Sequence, residues 1–249
     1  MNPKPSVVIV CYPKVGSQFL KVMLSQRIRP ANALGRVTTS HAFNIDGLKS
    51  TCEVVGTAPD VKFVYLYANP MNAVLALLTT FMPIRLRTYQ PHLVRPTVEF
   101  PVAFSYQNFF ACGGPAWTGA TTLFENERYV NQVLSSTDRE DIEKHFVSYM
   151  INGDVLGYKN HFDIWTKTYP HKTSHSFCMI KYEELENLNV LDQLRAFLGP
   201  SCPSLHCIKE EFIPRRTNYV GHAHAAALTK AYGELAAEMN SLPAFQVLS

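Results

Sequence analysis

The segment Val7–Leu24, VVIVCYPKVGSQFLKVML, most constrains what this chain can fold into, because its hydrophobic period changes within a few residues. Val7–Cys11 is a short β-branched apolar run of the kind buried in a sheet, and from Ser17 to Arg27 the apolar residues recur at helical spacing. Between the two lies a loop holding Lys14, Gly16 and Ser17. A strand that passes through such a loop straight into a helix leaves free backbone N–H groups and the positive end of the helix dipole converging on one point. Lys14 adds a mobile positive charge. The segment therefore has the architecture of a phosphate cradle, and the expected ligand is a nucleotide-type phosphate.

With 249 residues, of which 47% are hydrophobic and 17% charged, the chain is long enough for one sizeable core, and a single domain spanning residues 1–249 is expected. The formal net charge of +3 is small and the lysines and arginines are scattered, which argues against a nucleic-acid partner but suits a small anionic ligand. Six cysteines form no CxxC pair, and Cys11 and Cys178 fall inside apolar strand-like runs where a thiol behaves as a small hydrophobe. A reduced, intracellular setting follows. The N-terminal MNPKPSVVIV lacks a signal-peptide pattern, and no apolar run approaches the ~18 to 20 residues that span a bilayer. The expectation is a soluble, cytoplasmic protein without a membrane partner.

Strands are expected at Val7–Cys11, Lys62–Tyr67 and Ser176–Lys181, each short, apolar and rich in β-branched or aromatic residues. Helices are expected over Ser17–Arg27, Pro70–Thr80, Arg139–Ile151, Tyr158–Tyr169, Val190–Leu198 and His224–Met239. Asn69 before Pro70 reads as a capping side chain followed by a proline at the first helical position, and Gly199-Pro200 as a helix stop. Strands separated by helical stretches predict an α/β fold: three layers, a mainly parallel sheet flanked by helices, with ligands bound beyond the carboxyl ends of the strands. The stretch Phe81–Ser135 is rich in proline, glycine and aromatics and weakly periodic, and reads as loops, a lid or an insertion.

A Walker A loop places its lysine after the second glycine and follows it with Ser or Thr, which holds Mg²⁺. Here Lys14 precedes Gly16, and no Asp ends the KFVYLY strand to hold a metal. A kinase or ATPase of that class is not expected. The histidines His171, His175, His222 and His224 lack cysteine or carboxylate companions at ligand spacing, so no metal is expected.

The order Tyr12-Pro13-Lys14-Val15-Gly16-Ser17-Gln18-Phe19 instead resembles the YPKSGTTW loop of the cytosolic-type sulfotransferases, which use 3'-phosphoadenosine 5'-phosphosulfate (PAPS) and release PAP. Thr39-Ser40-His41 is similar to that family's K-[ST]-H, and Val64–Ala76 to its VYxxRNPKDVAVS. The run Gly157–Gly199, with His161, Trp165, Lys181-Tyr182-Glu183-Glu184-Leu185 and Phe197-Leu198-Gly199, is similar to its later block ending in YEDL and FLG. The resemblance implies a P-loop-NTPase-like sulfotransferase fold and transfer of a sulfuryl group from PAPS, without metal, to a hydroxyl or amine of a small molecule or glycan.

It also implies roles. His41 would be the general base, and Lys14 would stabilise the leaving phosphate. The cofactor would be held by Lys14, Val15, Gly16, Ser17, Gln18 and Phe19, with Asn69, Tyr182, Arg215 and Arg216, and the acceptor would touch His161 and Tyr106. For His161 core packing is an equal alternative, and Tyr182 could simply close the third strand. Where the family has an Arg and a Ser on the cofactor's 3'-phosphate, this chain has Ala68 and Ala76. That difference supports a second reading, a sulfotransferase-fold protein that has become a binding module or uses a different nucleotide donor. Arg215 and Arg216 are the candidates left for a 3'-phosphate clamp.

Overall fold

In the computed structural model the described residues are 5–12, 15–27, 34–40, 61–76, 157–172, 175–214 and 218–248. Among them five strands form one sheet in the order β2-β1-β3-β4-β5, where β1 is Ser6–Cys11, β2 Val37–Ser40, β3 Val61–Tyr67, β4 Ser176–Lys181 and β5 Phe245–Leu248. Neighbours from β2 to β4 are parallel, and β5 alone runs antiparallel, against β4. The architecture is α/β.

The three strands expected from the sequence are the central ones. β1 is buried along its whole length and β3 nearly so, as strands covered on both faces must be. The register sets Phe63 opposite Phe177, and their rings stack at 4.7 Å between centroids and 10° between planes. Trp165 packs on Phe63 at 6.0 Å. The two strands missed in the sequence, β2 and β5, lie at the ends of this order, are short, and are more exposed; Val247 is 55% exposed.

Two helices differ from expectation in pitch. Helix α1 is regular over Ser17–Val22 and widens to a π-helix over Met23–Arg27. Helix α3, Tyr158–Asp163, widens in the same way over Ile164–Thr168, where the Tyr169 N–H donates to the carbonyl of Ile164. In each a hydroxyl takes the carbonyl four residues back, Ser25 Oγ to Lys21 and Thr166 Oγ1 to Phe162, both at 2.7 Å, competing with the backbone ladder.

The remaining helices are α2 (70–76 of the described residues), α4 (Leu188–Leu198), α5 (Cys207–Glu211) and α6 (Ala225–Ser241). Gly199 ends α4 at a φ of 106°, as the sequence signal predicts, while its start lies two residues before the expected Val190, where Asn187 caps it by accepting from the Asn189 N–H. Cys11 and Cys178 are buried in the core. No helix among the described residues is long and apolar enough to cross a membrane. The helix expected at Arg139–Ile151 and the stretch Phe81–Ser135 lie outside the described residues.

Candidate functional site

The parallel strands β2, β1 and β3 end on the same side of the sheet, and the segments singled out in the sequence converge there. β1 delivers the chain to Tyr12, which is fully buried and packs against Tyr158 with ring centroids 3.8 Å apart. Val15 is buried, and Gly16 stands at the N-cap of α1 with φ 103°, a left-handed conformation that no side chain adopts without strain. Among the described residues no side chain caps this helix. The Gly16 carbonyl accepts from the N–H groups of Phe19 and Leu20 at 3.1 and 3.4 Å, which leaves the earlier N–H groups of the turn without intrahelical acceptors. Ser17 is buried at the first helical position.

Glycine is needed at position 16 for a second reason. A Cβ there would lie 2.2 Å from Cε2 of Tyr182 and 2.7 Å from its Cδ2. Tyr182 follows β4 in a short 3₁₀ turn, Tyr182–Glu184, and its hydroxyl donates to the Ile213 carbonyl at 3.4 Å. Tyr182 thus closes β4, as one sequence reading has it, and its ring lies against the loop at Gly16. Phe212 joins it, with its ring 5.3 Å from that of Tyr182 and 5.8 Å from that of Phe19. Sequence reasoning missed Phe212, although an aromatic three residues before the Arg215-Arg216 pair was a usable signal.

On the other flank, Gln18 Nε2 donates to Thr39 Oγ1 at 3.2 Å and ties the start of α1 to the end of β2. β2 ends at Ser40, the residue before His41. His41, Lys14, Arg215, Arg216 and Tyr106 lie outside the described residues.

At the end of β3, Asn69 is the N-cap expected from the sequence: its Oδ1 accepts from the N–H groups of Met71 at 3.0 Å and Asn72 at 3.3 Å. Its own N–H donates to Glu183 Oε1 at 3.3 Å. Burial, and then the charges of Glu183 and Glu184, push the Tyr67 hydroxyl well above the usual tyrosine range. Ala68 is fully buried and its carbonyl accepts from the Tyr158 hydroxyl at 3.3 Å; Ala76 is also buried.

His161 is fully buried, and its Nδ1 lies 3.0 Å from the Tyr65 hydroxyl. That phenol is itself buried, and the contact satisfies it within the core. The described geometry buries His161 beside Tyr65. Among the described residues no group of three or more His, Cys, Asp or Glu side chains could hold a metal ion.

The chemistry available is therefore that of one uncapped helix start fed by a strand, with a glycine that permits close approach, three aromatic rings around it, and a self-capped helix start beside it. No protein-family model matches the chain, and no curated protein and no solved structure is significantly similar to it.

Proposed function

We propose that the chain is a sulfuryl transferase of the PAPS-dependent sulfotransferase type, on that family's P-loop-like fold, which binds the phosphate of a nucleotide-linked sulfate donor at the loop Tyr12–Phe19. The observation that carries the reading is Gly16: a left-handed glycine opening an uncapped helix at the carboxyl end of a buried parallel strand. Such a terminus offers N–H groups to an oxyanion, and Gly16 has no side chain to compete for them. Rings of Phe19, Phe212 and Tyr182 beside it suit the flat face of a base.

The donor supplies an activated sulfuryl group. In this reading Lys14 balances charge on the phosphate that leaves, the N–H groups of Gly16, Ser17 and Gln18 hold that phosphate, and His41 takes the proton of an acceptor hydroxyl or amine. A second reading, the same scaffold with a different nucleotide donor or with binding alone, is favoured by the buried methyl groups of Ala68 and Ala76, which offer nothing to a 3'-phosphate.

A thermal shift of the full chain with AMP, ADP and PAP tests the cradle, because a ligand at a hundred times its Kd stabilises the fold by about 2.7 kcal/mol. At least one nucleotide should raise the melting temperature, and Lys14→Ala should remove most of the rise. His41→Ala should keep the shift and abolish sulfate transfer to a phenol or amine. A chain that responds to none of the three nucleotides is not a nucleotide-dependent transferase.

A further inference from the structure

β1 and β3 are hydrogen-bonded parallel neighbours, and each is followed directly by a helix. Two helix N-termini therefore stand on one edge of the sheet, and the sequence treats them in opposite ways. The first begins at Gly16 with no capping side chain. The second is closed by its own residues: Asn69 Oδ1 takes the N–H groups of Met71 and Asn72, and the Asn69 N–H goes to Glu183 Oε1. A carboxylate already stands where a second anion would have to bind.

The other oxygen of that carboxylate, Oε2, is buried and meets no hydrogen-bond donor among the described residues. An oxygen in that state accepts a hydrogen bond from a hydroxyl or amine and repels a phosphate. Glu183 follows Tyr182, whose ring lies against Gly16, so the same turn after β4 touches the first helix start through Tyr182 and the second through Glu183. The side chains of Ala68 and Ala76 add neither a cation nor a donor at this end of β3.

We infer that Glu183 is a specificity-determining residue of the cradle, accepting a hydrogen bond from a ribose hydroxyl and excluding a phosphate at that position. The donor is then a nucleoside 5'-phosphosulfate with free ribose hydroxyls, and PAPS, with its 3'-phosphate, does not fit. The inference rests on the nucleotide reading of the loop and takes its second form, in which the donor is a nucleotide other than PAPS.

Calorimetric titration of the full chain with AMP, 2',3'-dideoxy-AMP and PAP separates the two. AMP should bind at least about tenfold tighter than PAP, because like charges brought together at a binding site are strongly disfavoured. Removing the ribose hydroxyls should weaken binding several-fold. Glu183→Gln keeps the shape and an acceptor for the Asn69 N–H, and should tighten PAP relative to AMP. Tighter binding of PAP than of AMP by the unaltered chain overturns the inference, as does equal affinity for AMP and its dideoxy form. Those two comparisons need no variant, so they decide the matter even if Glu183→Gln does not fold. Binding of all three without discrimination overturns the role of Glu183 and leaves the nucleotide reading standing; binding of none overturns both.

Discussion

At residue 16 two constraints coincide, a backbone at φ 103° and a tyrosine ring within 2.2 Å of any Cβ. The first alone costs a non-glycine residue about 1–3 kcal/mol. The second adds the displacement of Tyr182 from Phe212 and from the Ile213 carbonyl. Gly16→Ala should therefore lower unfolding stability by more than about 2 kcal/mol in urea titrations. In a Tyr182→Ala background the same change should cost less, since only the backbone strain remains, giving a coupling of about 0.5–3 kcal/mol in a double-mutant cycle. Strict additivity would show that the ring is not the obstacle. The loop itself was legible, because a lysine, a glycine and a helix start within one short segment are a local pattern. Tyr182, Phe212 and Glu183 were not legible as its neighbours; they reach the loop only through sheet pairing and the turn after β4.

At the scale of the element, the second helix start shows how far local signals carry. Asn69 and Pro70 read correctly as cap and first residue because capping involves atoms two or three positions apart. Asn69→Ala should destabilise the protein by about 1 kcal/mol, within a range of about 0.5–2, and Asn69→Ser should recover most of that. The Asn69 backbone N–H to Glu183 survives in either variant, so a much larger loss on melting would mean that the cap also holds the β4 turn in place. The partner of that N–H, 114 residues away, left no mark on the local sequence. The strands divide in the same manner. β1, β3 and β4 announce themselves as apolar runs because parallel pairing buries both of their faces, whereas the four-residue edges β2 and β5 have no such pattern and exist through their neighbours.

Over the whole molecule, burial of weak acids makes the fold sensitive to alkali. Burial raises the Cys202 thiol from 9.0 to about 11, pushes the Cys178 thiol and the Tyr65 hydroxyl well above their ordinary values, and raises Cys207 as well. Each of these groups is neutral when protonated, and each has a folded pKa above its unfolded one. The unfolded chain therefore gives up these protons first, and stability declines once pH passes the unfolded values. The urea midpoint, measured in reducing buffer, should hold below pH 9 and fall between about pH 9 and 11. Cys202→Ala should flatten part of that fall. A midpoint that rose across the window would contradict the burial of these groups.

What the sequence by itself determined is what depends on neighbouring residues: three central strands, the helix caps at Asn69 and Gly199, the core placement of Cys11 and Cys178, and a loop with the local chemistry of a phosphate cradle. The tertiary structure decided which distant groups meet that loop. It set a tyrosine ring from the end of β4 on Gly16, buried His161 against Tyr65, and joined Glu183 to the second helix start. The physical reason is that caps, turns and apolar periods are satisfied within a few residues, whereas the company a side chain keeps across a sheet is set by strand order and register, which no short segment of sequence encodes.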